Sequence, residues 1–329
     1  MGSEPRVGVL LLQLGTPDEP TAPAVRRYLE QFLRDRRVVD LSRAIWLPIL
    51  YLRVLRTRPA QSARLYAKIW TAAGSPLAVI TNAQATGLAA RLDGVVPGRV
   101  RVAVGMRYGN PSIASAIEAL AGAGCDRILA FPMYPQYAGA TTGSSLEEFS
   151  TLIARRRVVP SVRVVPPYFE DEAYLGALET VARTALGDWR PDHALVSFHG
   201  IPQRYATRGD PYPEHCHVTA RALIARMGWA ADMTTVSFQS LFGREEWLRP
   251  YTNETLTALA RRRIGRLAVV CPGFTADCLE TLEEMGMTNR ELYEHAGGGE
   301  YRLVPCLNDH PAWLDAMAAI TTRELQGWI

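Results

Sequence analysis

Two stretches of this 329-residue chain hold residue types able to do chemistry. In LVSFHGIP, Leu195 to Pro202, an apolar, β-branched run ends in His199, followed by Gly200 and Pro202. An imidazole at the mouth of a strand, on a turn held by Gly and Pro, is placed to accept protons near neutral pH or to ligate a metal. In CPGFTADCLETLEEMG, Cys271 to Gly286, a strand ends at Pro272-Gly273 and a helix follows, with Thr275 or Asp277 as its cap. Asp277, Glu280 and Glu284 stand at i, i+3 and i+7, a spacing that predicts one acidic stripe beginning at the first helical turn. Crowded carboxylates in a partly dry site repel one another, which raises their pKa values and readies them to take protons or hold a cation. Plainer readings compete with both: a packed, satisfied histidine, and acidic residues that merely favour a helix's first turn. Together, imidazole and carboxylate suit a borderline or hard divalent metal. A closed zinc site is not indicated, because the cysteines lack C-x-x-C spacing. Adjacent side chains diverge, so His215-Cys216-His217 is not read as a metal site.

The elements that must position these residues repeat along the chain. Buried-strand patterns fall at 7–15, 100–109, 127–135 and 162–168, then at 193–200, 233–240, 266–274 and 301–308. Helical patterns such as PSIASAIEALAGAG and TNETLTALARRRIG lie between most of them. The expected fold is therefore α/β, with two Rossmann-like doubly wound lobes, each built on a four-stranded parallel sheet. The lobes are expected at 1–170 and 171–329, with PAWLDAMAAITTREL as a closing helix at about 311–324. Such sheets bind ligands at the carboxyl ends of their strands, which here hold Leu14, Arg107 with Tyr108, Tyr134, His199, Gln239 and Phe274. A cleft between two lobes would collect these ends. The first strand is followed by GTPDEP rather than G-x-G-x-x-G, which argues against a dinucleotide site, and neither a P-loop nor a G-x-S-x-G elbow occurs.

Composition narrows the class. Apolar residues make up 48% and charged residues 21%, an ordinary globular balance. A net charge of +3 does not point to nucleic acid as a partner. Lys68 is the single lysine, so Schiff-base chemistry has one candidate. The clusters ARRRVV and ARRRIGR read as solvated helix ends or loops. Five widely spaced cysteines favour reduced thiols and a cytoplasmic location. No apolar run reaches the ~18 residues that cross a bilayer, and the N-terminus, with Glu4, does not read as a secretion signal. In GATTGSSLEEF, Ser145 and Glu148 have capping-box spacing. The segment RAIWLPILYLRVLRTRP, around 44–58, has two readings: a lip in peripheral contact with an anionic membrane surface, or ordinary lobe packing.

The sequence resembles the ferrochelatases, which insert ferrous iron into a porphyrin in haem synthesis. The resemblance rests, in order, on LLQLGTPDEP, GSPL, GMRYGNPS, YPQYAGATTGSS, SFHGIP, RGDPYP, FQSLFGREEWLRP and PGFTADCLETLEE, and is strongest to the bacterial, protoporphyrin-using branch. It implies porphyrin held between two Rossmann-like lobes. His199 matches the family's active-site histidine and Glu280 the glutamate facing it, as proton acceptors or first iron ligands. Asp277 and Glu284 match further acidic positions on a proton or iron path. Leu14, Tyr66, Ser75, Arg107, Tyr108, Tyr137, Trp247 and Phe274 match substrate-binding positions, and Arg58, or Arg56 after a one-residue length difference, matches a propionate partner. Some relatives carry an iron–sulfur cluster. Here Gly139 occupies the internal cluster position and no cysteine follows Cys306, so no cluster and no prosthetic group is expected; ferrous iron is a substrate. Monomer and weak dimer both remain open.

Overall fold

The computed structural model describes residues 6–241, 243 and 245–329. Glu4, and Phe242 and Arg244 of the motif FQSLFGREEWLRP, lie outside the described residues.

The chain forms the strands β1 (Arg6–Thr16), β2 (Val100–Gly109), β3 (Cys125–Pro132), β4 (Ser161–Val164), β5 (His193–His199), β6 (Thr234–Gln239), β7 (Arg266–Val270) and β8 (Glu300–Leu303). They make two four-stranded sheets, ordered β2-β1-β3-β4 and β6-β5-β7-β8. Every pairing is parallel. Four strands stop short of the apolar runs that announced them, and proline accounts for it. It has no N–H for a ladder bond, and Pro132, Pro166, Pro272 and Pro305 stand at or just past the ends of β3, β4, β7 and β8.

Both faces of each sheet need helices, and the local chemistry supplies them. Ser112 starts the helix Ile113–Gly122 by accepting the Ser115 N–H at 3.1 Å. Asp171 caps Glu172–Leu186, which Gly187 ends at φ 54°. In the first sheet Leu10 and Leu12 pack on Ile113, Ile117, Leu120 and Phe149. In the second, Leu195, Leu267 and Val269 pack on Leu256, Leu259 and Tyr293. Each such burial contributes about 1.5–3 kcal/mol.

The chain divides into two compact units: residues 1–134, 138–166 and 317–329, and residues 135–137 and 167–316. The closing helix forms at Pro311–Glu324. The expected second lobe ran to the end of the chain, but Met317–Ile329 belongs to the first unit. Arginines there seize its carbonyls. Arg163 donates to Glu324 O at 2.8 Å and Gln326 O at 2.9 Å and stacks on Trp328, while Arg127 reaches Trp328 O at 3.1 Å.

Each sheet's third strand is followed by a π-helical turn, at Gly139–Gly143 after β3 and at Glu280–Thr288 after β7. These turns displace the expected caps. The first runs directly into the helix Ser144–Ala154, so the backbone is already helical at Gly143 and the Ser145–Glu148 capping box does not form. Ser145 is instead fully buried within the helical run.

Candidate active site

In the second unit the site is built on the carboxyl end of β5. His199 is paired with Gln239 across β5 and β6. The turn after it is tight: a Cβ on Gly200 would stand 3.0 Å from Gln239 O and 3.1 Å from the Trp247 ring, so any side chain there must crowd both. The Gly200 N–H donates to Gln239 O at 2.8 Å. His199 Nδ1 lies 2.6 Å from Gly200 O. A carbonyl oxygen can only accept, so Nδ1 carries the proton and Nε2 presents the lone pair. The ring sits among aromatic neighbours, with Trp247 at 6.2 Å and Phe274 at 6.5 Å between centroids.

Glu280 and Glu284 come from the π-helical segment after β7. A π turn closes i to i+5 and is concentrated at functional sites. Gln239 Nε2 donates to Glu280 O at 3.2 Å, tying the start of that segment to the end of β6. Gln239 Oε1 in turn accepts from Ser197 Oγ at 2.8 Å, and a buried hydroxyl chain runs on through Thr252 to Ser237. Ser240, in a left-handed backbone conformation at φ 68°, turns both its N–H and its hydroxyl onto the two Glu284 oxygens. Burial pushes the Glu284 carboxyl up; the Ser240 hydroxyl and His199 draw it down, Glu280 opposes them, and the balance lies above the usual glutamate range. Glu284 is thus close enough to feel the charges of both His199 and Glu280. Burial, and then the Glu280 carboxylate beside it, also push the Cys278 thiol well above its ordinary value.

Asp277 does not join the acidic stripe and, like Thr275, does not cap the helix. It precedes the helical segment, which begins with no side-chain cap. Its Oδ1 accepts from Thr281 Oγ1 and its Oδ2 from Asn308 Nδ2, each at 2.7 Å, so the carboxylate clamps the turn. Among the described residues no group of three His, Cys, Asp or Glu side chains forms a ready-made metal cage. The His215–His217 run follows its plainer reading: His215 stacks on Phe169 at 3.8 Å and its Nδ1 accepts the Tyr137 N–H at 3.1 Å, while Cys216 is fully buried.

In the first unit, Arg107 and Tyr108 meet on Asp35, a residue the sequence did not single out. Arg107 Nη2 reaches Asp35 Oδ2 at 2.6 Å and its Nε reaches Ser144 Oγ at 2.7 Å. The Tyr108 hydroxyl donates to the same Asp35 oxygen at 2.9 Å, and its ring is covered edge-on by Tyr28 and Phe32. Burial works to raise the Asp35 pKa, but hydrogen bonds from Ser144, the Arg37 N–H and Tyr108, with the Arg107 charge, hold it below the ordinary value. Leu14 is half-buried near the end of β1. Ser75 is buried and accepts from Thr16 Oγ1 at 2.8 Å, and Tyr66 lies edge-on to Trp70. Arg56 and Arg58 are both exposed on the helix Leu55–Ile69.

Two parallel sheets of like order, with a histidine and carboxylates at the strand ends of the second, define a chelatase-type α/β protein. The fold matches SirB from Bacillus subtilis with Fe3+, at TM-score 0.55 and 14% identity, over 97% of this chain and 95% of that one. It also matches the sirohydrochlorin chelatase SirB from Bacillus subtilis subspecies spizizenii in complex with cobalt, at TM-score 0.54 and 12% identity, over 98% and 96%. The family is settled by sequence. The ferrochelatase family model matches residues 6–325. A ferrochelatase of Thioalkalivibrio sulfidiphilus is 50% identical over 99% of this chain and 89% of its own length, and one of Bradyrhizobium diazoefficiens is 48% identical over 98% and 94%. The chain belongs to the ferrochelatase family.

Proposed function

We propose that the chain inserts ferrous iron into protoporphyrin IX to form protohaem with release of two protons, the last step of haem synthesis. The observation that carries this reading is the His199 tautomer, a lone pair on Nε2 with the Nδ1–H held by Gly200 O, on the strand end that also faces the charge of Glu284. Metallation removes two pyrrole protons as one divalent ion enters. His199 Nε2 takes a pyrrole proton or meets the incoming iron first. Glu280 stands next in line, and Glu284, which holds a proton more readily than an ordinary glutamate, passes protons onward. A planar macrocycle hides its nitrogen lone pairs, so binding a bent ring better than a flat one lowers the barrier. Trp247, Phe274, Leu14 and Tyr137 supply bulk for that bend, and Arg58 a guanidinium for a propionate. Tyr66, Ser75, Arg107 and Tyr108 complete the substrate-binding set of this reading, with the buried Tyr108 and Ser75 held by hydrogen bonds to Asp35 and Thr16. No prosthetic group or iron–sulfur cluster takes part.

The test is zinc or ferrous insertion into protoporphyrin, followed by its absorption change. His199→Ala is expected to lose at least about a hundredfold in rate while porphyrin binding persists; near-normal turnover removes His199 from the mechanism.

We place the protein in the cytoplasm, with peripheral contact to an anionic membrane through residues 44–58. No described helix is long and apolar enough to span a bilayer. One face of this segment does pack inward, through Trp46, Leu50 and Leu55. Ile45, Ile49 and Leu52 project outward at 63%, 41% and 63% exposure. Flotation with phosphatidylserine vesicles checks this contact: binding is expected, and Leu52→Glu is expected to abolish it.

A further inference from the structure

At the amino ends of β5 and β6, the opposite end of that sheet from His199, lies a cavity of about 570 Å3. This volume is in the ~300–1,000 Å3 range of small-molecule sites. Two helix ends frame it in the same way: Gly187 closes one at φ 54° and Gly228 the other at φ 69°. Each glycine is followed within two residues by a tryptophan, Trp189 or Trp229. These indoles, with Met227 and Met233, form flat and adaptable apolar walls. Trp189 is fixed, because its indole N–H donates to Glu300 at 2.8 Å and the Arg302 guanidinium lies 4.6 Å from its ring centroid.

The polar lining is cationic. Arg183 and Arg190 contribute guanidinium groups, and the lining contains no carboxylate. Arg183 bonds Glu179 at 2.9 Å and Arg226 O, and Arg190 bonds Gly187 O at 2.9 Å. A guanidinium has five N–H donors, so these bonds orient the groups without exhausting them. Aromatic and thioether walls with paired arginines match a flat apolar ring that carries carboxylates.

We infer that this cavity is a second tetrapyrrole-binding site, separate from the His199 centre, in which Trp189, Trp229, Met227 and Met233 hold the ring and Arg183 and Arg190 its carboxylates. The identity of the ring rests on the function proposed above, since haem and porphyrin are the flat carboxylates such an enzyme handles.

Titration of the full chain with ferric protohaem, read at the Soret band and by tryptophan quenching, tests it. Two haems per chain are expected. Arg190→Glu, an exposed substitution, should weaken one of the two about tenfold, and Trp229→Ala should do the same. Initial rates of zinc insertion should stay within about twofold in both variants. A single haem per chain in the parent protein, or two unaltered in the Arg190→Glu variant, overturns the inference. Loss of insertion activity alone does not touch it: a haem displaced by Arg190→Glu in an inactive chain would sink the functional reading and leave the site standing. The same titration with metal-free protoporphyrin separates the occupants. Tighter haem points to the product, with a methionine sulfur on iron; tighter porphyrin points to the substrate held in reserve.

Discussion

At the scale of single residues, the site depends on which atoms are already occupied. Gly200 O accepts the hydrogen bond from the Nδ1–H of His199, so the reactive nitrogen is chosen by backbone geometry. Ser240 does the corresponding work for Glu284. Replacing it with alanine removes the hydroxyl that draws the Glu284 pKa down, so the carboxyl should rise further. If turnover needs Glu284 ionised, the rising limb of the rate–pH profile moves to higher pH in Ser240→Ala; an unmoved limb excludes Glu284 as a proton acceptor. Ser240→Gly makes the same loss but relieves the left-handed backbone, worth about 1 kcal/mol in stability. Glu280→Gln should cost at least about a hundredfold in rate with the fold intact by circular dichroism. His199 and Glu280 were legible because a titratable group at a strand end advertises its chemistry. Gln239, Ser240, Asp35 and Ser144 were not. Each is an ordinary polar residue whose importance comes from a partner far along the chain, as Ser240 from Glu284 and Asp35 from Arg107.

Among the elements, one close approach sets the ends of β1 and β2. Gly15, at φ 106°, pairs with Tyr108, and a Cβ there would fall 1.7 Å from Tyr108 O. Gly15→Ala must push β1 and β2 apart, and a cost of at least about 3 kcal/mol in chemical denaturation is expected. Gly98→Ala, also at positive φ but with nothing within 4 Å, should cost only about 1 kcal/mol. The Asp35 clamp has a pH signature. Its folded pKa is depressed below 3.8, so its contribution to stability is present above that value and disappears as the pH falls through the folded pKa. The stability gap between parent and Asp35→Asn should therefore be constant near neutrality and close in strong acid. Periodicity placed all the strands, because buried parallel strands are continuous apolar runs. It missed the π-helical turns that follow β3 and β7. A wide turn has no compositional mark of its own, and a serine three residues ahead of a glutamate looks the same whether it caps a helix or sits inside one.

Over the whole molecule, the two sheets are built to one plan. In each, the first strand is central, the second and third flank it, and a π turn follows the third. Leu14-Gly15 ends β1 where His199-Gly200 ends β5, so one half carries an apolar residue where the other carries the reactive imidazole. The repeated strand pattern made the α/β class readable from the chain. The allegiance of the last residues was not, since it lies in backbone carbonyls that side-chain patterns do not report. Arg163→Ala removes the bonds to Glu324 O and Gln326 O and the stacking on Trp328. It should cost about 1–2 kcal/mol and speed hydrogen exchange across 317–329 more than elsewhere.

That anchoring also settles how the chain would yield to a pull. Arg6 and Ile329 lie in the same unit, while residues 167–316 form a loop of sequence inserted within it. Tension applied at these two points loads the first sheet and the arginine grip on the tail. The second unit bears no load until the first has torn open, so a single-molecule trace should rip in a fixed order, with the histidine-bearing half always last.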